Sequence, residues 1–217
     1  MAGGGRTAGP GSARSGADFD RALRSLRAAV PRPEVVIAEA PAPSRLAPFT
    51  VALTGDVVVE QVELATGRLV LLHDPAGQQA WAGTWRVVVF ARASVETEMA
   101  ADPFLPRVGW TWLIEALSAR GAQHVQAAGT VTRVFSESFG TMVDRAVEAE
   151  IEVRASWTPV WEPGSGPGPA RRVPADRVGA TGAGAHLLAW TDLLCAIAGL
   201  PDLPSDVVAL ARRRDSD

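Results

Sequence analysis

Apolar and polar residues alternate without a break from Val147 to Thr158, in a stretch that runs on to Val160. Ala149, Ile151, Val153, Ala155 and Trp157 stand against Glu148, Glu150, Glu152, Arg154 and Ser156. A period of two puts these sets on opposite faces of a strand, so the stretch predicts a strand with one face in the core and one in water. Runs rich in Val, Leu, Thr and Trp predict further antiparallel strands at Phe49–Val59, Gln61–Leu72, Ala80–Glu96 and Val125–Glu137. HDPAG at His73–Gly77 supplies turn residues between the second and third of these, and Thr66-Gly67 suggests a tight turn or bulge inside the second. Glu34–Glu39 is strand-like, but Pro41, Pro43 and Pro48 follow, which confines it to a short or edge strand.

Elsewhere the period lengthens. Asp18 is placed to N-cap a helix whose stripe is Phe19, Ala22, Leu23, Leu26 and Val30, stopped by Pro31. A second helix runs from Pro106 to Arg120, ahead of Gly121. At about 100° per residue its apolar side chains cover an arc of roughly 240°, far wider than a single sheet-facing stripe. Arg107, Thr111, Glu115 and Ser118 alone form its polar wedge. Trp110 and Ile114, on the far edge of that arc, therefore need a second cover, either the C-terminal helix or another subunit. A last helix is expected at His186–Gly199. The order α-β-β-β-α-β-β-α gives an α+β fold, a sheet of about five antiparallel strands with helices packed on it.

One domain is expected, spanning 17–161 and 186–210. Residues 1–16, without a large apolar side chain after Met1, are expected to be disordered, as is the tail 211–217. The Gly/Pro-rich stretch 162–185 reads as a mobile loop.

Composition narrows the chemistry. The 217 residues include no Lys, Tyr or Asn and only four Ile, a bias that points to a GC-rich genome. Without Lys there is no P-loop lysine, no pyridoxal Schiff base and no lysine general base. A net charge of −3 argues against a general nucleic-acid or anionic-membrane binder, and no window is apolar enough for a membrane span. The single Cys195 fits a reducing cytoplasm and, on an apolar helix, reads as core. His73, His124 and His186 fall in three elements with no partner at metal spacing, so no metal and no cofactor are expected. SESFG at 136–140 lacks a nucleophile elbow, and Gly164, Gly166 and Gly168 lack the order of a dinucleotide turn.

Several blocks resemble one family: WAGTWRVVVFARA at 81–93, EMAADPFLPRVGWTWLIEALSARGA at 98–122, GTVTRVFSESFG at 129–140, EIEVRASWTP at 150–159 and HLLAWTDLLCAIAGLP at 186–201. RPEVVIAEAPAPSRLAPF at 32–49 and ATGRLVLLHDPAGQ at 65–78 extend the likeness over nearly all of 18–210. The family is an uncharacterised actinobacterial one, domain of unknown function 3000, and the resemblance carries over no catalytic residue. It implies a gene neighbourhood with a ribonuclease D-like exonuclease. The order of elements also resembles type III secretion chaperone-like proteins, which dimerise through a middle helix and bind partner segments. The expectation is thus a non-enzymatic cytoplasmic binding, adaptor or chaperone-like protein, a homodimer or bound to a protein partner through Trp110 and Ile114. One alternative is a metal-independent enzyme using Glu115, Glu137 or Asp144, brought together with Arg133 or a histidine. Another is an RNA-metabolism accessory protein using Arg21, Arg24, Arg27, Arg171, Arg172 and the Arg-rich tail.

Overall fold

The computed structural model of the chain describes residues 10–161 and 182–201. Four helices, α1 (Pro10–Ala28), α2 (Thr97–Ala101), α3 (Leu105–Ala119) and α4 (Ala183–Ile197), accompany six strands. The strands are β1 (Val35–Ala40), β2 (Phe49–Val59), β3 (Val62–Gln78), β4 (Gly83–Val95), β5 (His124–Ser136) and β6 (Glu148–Pro159). They form one open antiparallel sheet in the order β1-β2-β3-β4-β6-β5, and the fold is α+β.

Alternation decides which face is covered. Ile151, Val153, Ala155 and Trp157 of β6 pair in register with Ala93, Ala91, Val89 and Val87 of β4, and all eight are buried. The opposite face carries Arg92, Arg154, Glu150 and Glu152, with Arg154 paired to Glu152 and set 5.0 Å over the Phe90 ring. That is a solvated, charge-balanced surface. The helices pack on the other face, α4 running between α1 and α3. All but two of its fifteen residues are buried, as a helix apolar on every side must be.

Trp190 explains how α4 comes so close. Gly55 and Gly67 are register partners on β2 and β3, and a Cβ on Gly55 would lie 2.7 Å from the Trp190 ring, one on Gly67 3.0 Å from it. The glycine pair is the recess that receives the indole, whose Nε1 donates to the Phe90 carbonyl at 3.1 Å. Burying a side chain of this size contributes about 3 kcal/mol or more.

The structure departs from the sequence expectations at several boundaries. α1 begins at Pro10, so Asp18 lies inside the helix, where it pairs with Arg21, and the segment expected to be disordered overlaps the helix from residue 10. The Glu34–Glu39 stretch is the edge strand expected there, but it pairs with β2 along its length and makes the sheet six-stranded, where about five strands were expected. HDPAG does not end β3. Asp74 accepts from the Ala76 amide and from Gln78 Nε2, Gly77 adopts φ +76°, and the strand bulges through to pair Gln78 with Gly83. The reversal to β4 is instead a 3-10 turn at Gln79–Trp81. The irregularity between β2 and β3 falls at Leu64, not at Thr66-Gly67. α4 starts at Ala183, three residues before His186. The rest of the expected loop at 162–181, the segment 1–9 and the tail 211–217 lie outside the described residues.

Candidate interaction surface

α3 starts where Asp102 accepts the Phe104 amide at 2.8 Å and Pro106 occupies the first turn, a position that needs no donor. Leu113 and Leu117 are wholly buried against the sheet and α4, and Arg120 forks onto Asp192 at 2.5 and 2.7 Å to tie α3 to α4. Gly109 brings the helix backbone down on β5 and β6: a Cβ there would meet Ile151 at 3.1 Å and Val131 at 3.2 Å.

One residue on, Trp110 leans over Gly129 of β5, its ring 2.9 Å from where a Gly129 Cβ would stand. The sequence offered two covers for Trp110, the C-terminal helix or a second subunit. In the structure the edge strand of the sheet takes one side of the ring, and both Trp110 and Ile114 stay half-buried.

That edge is bare. β5 pairs only with β6, and its outer side has no backbone strand partner among the described residues. Its thirteen residues include no Pro, and apart from His124 the single ionisable side chain is Arg133. Arg133 does not face solvent as a guard. Its Nη1 donates to the carbonyls of Ala100, Ala101 and Asp102 at 3.0, 3.3 and 2.9 Å, satisfying the C-terminal end of α2. Around this contact stand exposed apolar side chains. Met99 precedes Ala100, Phe104 (63% exposed) follows Asp102, and Phe135 is two residues along β5 on the same face; Phe139 (74% exposed) continues the group into the β5–β6 connection. Several large apolar side chains are thus exposed toward the Ser136 end of the sheet edge.

The carboxylates proposed for catalysis do not meet. Glu115 is exposed on the outer side of α3 toward the His124 end of β5, whereas Glu137 and Asp144 lie exposed beyond the Ser136 end. Arg133 is already engaged. Among the described residues no three metal-ligating side chains gather. Of the arginines considered for RNA, Arg21 is paired to Asp18 and Arg24 and Arg27 are exposed on α1; Arg171, Arg172 and the tail lie outside the described residues.

What the sequence hid is an aromatic row holding all three histidines. His73 is register partner to both Phe49 and Trp85 and stacks on Trp85 at 3.9 Å. Trp161 bridges Trp85 to His186 at 5.1 and 5.4 Å. The Trp157 Nε1 donates to His186 Nδ1 at 3.0 Å, with His124 6.5 Å from the Trp157 ring. Burial holds His186 neutral, its pKa pushed down to about 3, and the neighbouring His124 pushes the same way. His73 is lowered by burial too; its Nδ1 lies 3.0 Å from the Thr84 carbonyl while the buried Nε2 has no partner. The row is a core feature: the rings fill space between β3, β4, β6 and α4 and supply the partner that the Trp157 indole requires.

The sequence model of a family described as "Protein of unknown function (DUF3000)" matches residues 15–208. No curated protein and no solved structure matches the chain. No helix among the described residues is long and apolar enough to cross a membrane.

Proposed function

We propose that this chain, which belongs to the DUF3000 family of proteins of unknown function, is a non-catalytic cytoplasmic binding or adaptor protein that acts as a homodimer joined along β5 and the adjoining side of α3. The carrying observation is the unguarded β5 edge with Trp110 and Ile114 half-exposed beside it. Edge strands are normally shortened, broken by Pro or fringed with charge because open ladders recruit other strands. β5 has none of these along Ala128–Ser136; its one interruption is a bulge at Gln126–Ala127, where Gln126 adopts φ +54°, near the His124 end. Antiparallel pairing of β5 with its own copy is self-complementary, as a two-fold interface must be, and would continue the sheet across both subunits. The same geometry would bring Trp110 and Ile114 under the partner's α3. The apolar group at Phe104, Phe135 and Phe139 then remains for a partner segment. The separation of Glu115, Glu137 and Asp144 favours binding over acid/base chemistry.

Ile114→Glu tests this. Placing a charge in a desolvated contact weakens association by several kcal/mol at about the scale of an interface hot spot. Light scattering after size exclusion should show a dimer for the parent chain and a monomer for the variant, with unchanged circular dichroism. A parent chain monomeric at all concentrations overturns the reading.

A further inference from the structure

The bulge in β5 limits how a second copy of the strand can lie against it. The ladder to β6 shifts register between Val125 and Ala128, then runs unbroken from Ala128 to Ser136. Those nine residues are the ones able to carry a regular ladder on the outer side as well. Gly129, Val131, Arg133 and Phe135 pair with Ala155, Val153, Ile151 and Ala149, which are buried on the helix-covered face. These four residues of β5 therefore share that face, and Ala128, Thr130, Thr132, Val134 and Ser136 share the wet one.

A two-fold axis joining two antiparallel copies of β5 stands perpendicular to the sheet and keeps like faces together, so it must pass through a residue position and not between two. Length and charge choose which. An axis at Thr132 uses all nine positions, whereas one at Val131 brings the Gln126–Ala127 bulge opposite Phe135 and one at Arg133 leaves two positions unpaired. The axis at Arg133 would also set two guanidiniums directly opposite each other, which is destabilising. At Thr132 no charged side chain faces another. Ala128 meets Ser136, Thr130 meets Val134 and Thr132 meets its own copy, while Val131 meets Arg133.

The remaining pair is Gly129 with Phe135. Gly129 has no room for a side chain: a Cβ there would lie 2.9 Å from the Trp110 ring, and the Arg154 carbonyl stands nearer still. Phe135 is 48% exposed. An aromatic ring opposite an edge glycine covers the strand that the glycine leaves bare, and here it would also reach the open flank of an indole, the offset or edge-on contact that aromatic pairs favour.

We propose that Thr132 lies on the two-fold axis of the homodimer and that Phe135 of each subunit completes the Gly129–Trp110 seat of the other. This rests on the β5-joined dimer proposed above and assigns the partner segment of Phe135 to the second subunit itself.

Disulfide trapping in the full chain reads the register. Cys195 is 2% exposed and burial pushes its thiol up to about 11, so it stays out of exchange. Facing residues of an antiparallel ladder have Cα atoms about 4.5–5.5 Å apart, within reach of a disulfide, and positions displaced by four residues are beyond about 10 Å. Thr132→Cys should therefore form a covalent dimer under mild oxidation at least about tenfold faster than Thr130→Cys or Val134→Cys alone. Those two variants, co-expressed, should yield the mixed covalent dimer. Fastest trapping by Thr130→Cys or Val134→Cys alone, or by Thr132→Cys mixed with either, overturns the proposal and leaves the β5 dimer standing. No trapping in any combination from a chain that light scattering shows to be a dimer, or a chain that is monomeric, overturns both. Phe135→Ala should weaken dimerisation at least about tenfold, and adding it to Trp110→Ala should cost no more than about a further twofold, because the two rings act as one contact. Fully additive losses overturn the shared seat.

Discussion

Two tryptophans on two helices use the same device with different results. Trp190 of α4 settles on Gly55 and Gly67 in the middle of the sheet and is wholly buried; Trp110 of α3 settles on Gly129 at the sheet edge and is half-exposed. In both, a glycine removes the side chain that would keep the indole off the strand. At the centre, neighbouring strands and two flanking helices complete the enclosure. At the edge there is no further strand, and only part of the ring is covered. One chain can finish a seat in its core, whereas an edge seat is finished only by what pairs with the edge.

Trp190→Ala tests the central seat and should have the largest effect. It empties a site that rigid strands cannot collapse into and strips the Phe90 carbonyl of a donor, costing about 3–5 kcal/mol. Thermal denaturation should show a melting temperature lower by roughly 10 °C. A loss below about 1 kcal/mol would show that the glycine recess is incidental.

Acid is the next largest perturbation, and it too strikes the central side. His186 has a folded pKa of about 3 against an ordinary 6.5, so protons favour the unfolded chain. The stability tied to its neutral form is complete above pH 6.5 and is lost progressively as pH falls toward the folded value. By pH 4.5 the loss should approach about 3 kcal/mol, and His73, also lowered by burial, adds in the same direction. Urea titrations at pH 7.5 and 4.5 measure it; equal midpoints would mean that the Trp157–His186 pair opens at little cost.

Trp110→Ala should be the mildest for the fold, about 1–2 kcal/mol, because half of the ring's burial is all the single chain provides. Its effect on assembly should be larger, a weakening of dimerisation by at least about thirtyfold in sedimentation experiments. If instead it destabilises the fold as much as Trp190→Ala, the two seats are equivalent and the edge has no partner.

The sequence made some of this visible and hid the rest for identifiable reasons. The alternation at 148–159 and the wide arc of α3 are local patterns, and both specify a face before any tertiary contact is known. The surplus at Trp110 was therefore legible, but its seat was not, because Gly129 lies nineteen positions away and only strand register brings it under the ring. HDPAG misled because Asp74 satisfies the amide and side chain of its own segment, which lets a turn-forming sequence persist as a bulge. The histidine row was invisible for a similar reason: the order β3-β4-β6 places His73, Trp85 and Trp157 on neighbouring strands, and no spacing along the chain encodes strand order. The prolines after Glu39 made Glu34–Glu39 legible as an edge strand, but not as a full member of the sheet, because they flank it and leave its pairing with β2 intact.

Cys195 gives the molecule an internal reporter of its own breathing. The thiol is buried in α4, unreactive in the closed state because both access and ionisation are denied. Alkylation can therefore proceed only through molecules in which α4 has lifted or the domain has opened. When opening is rapid relative to the chemistry, the labelling rate divided by that of an unhindered thiol is the population of the opened form. Because this chain has one cysteine, that ratio can be measured without mutation, and its change on dimerisation would reveal whether closing the β5 edge also steadies the helix at the opposite side of α3.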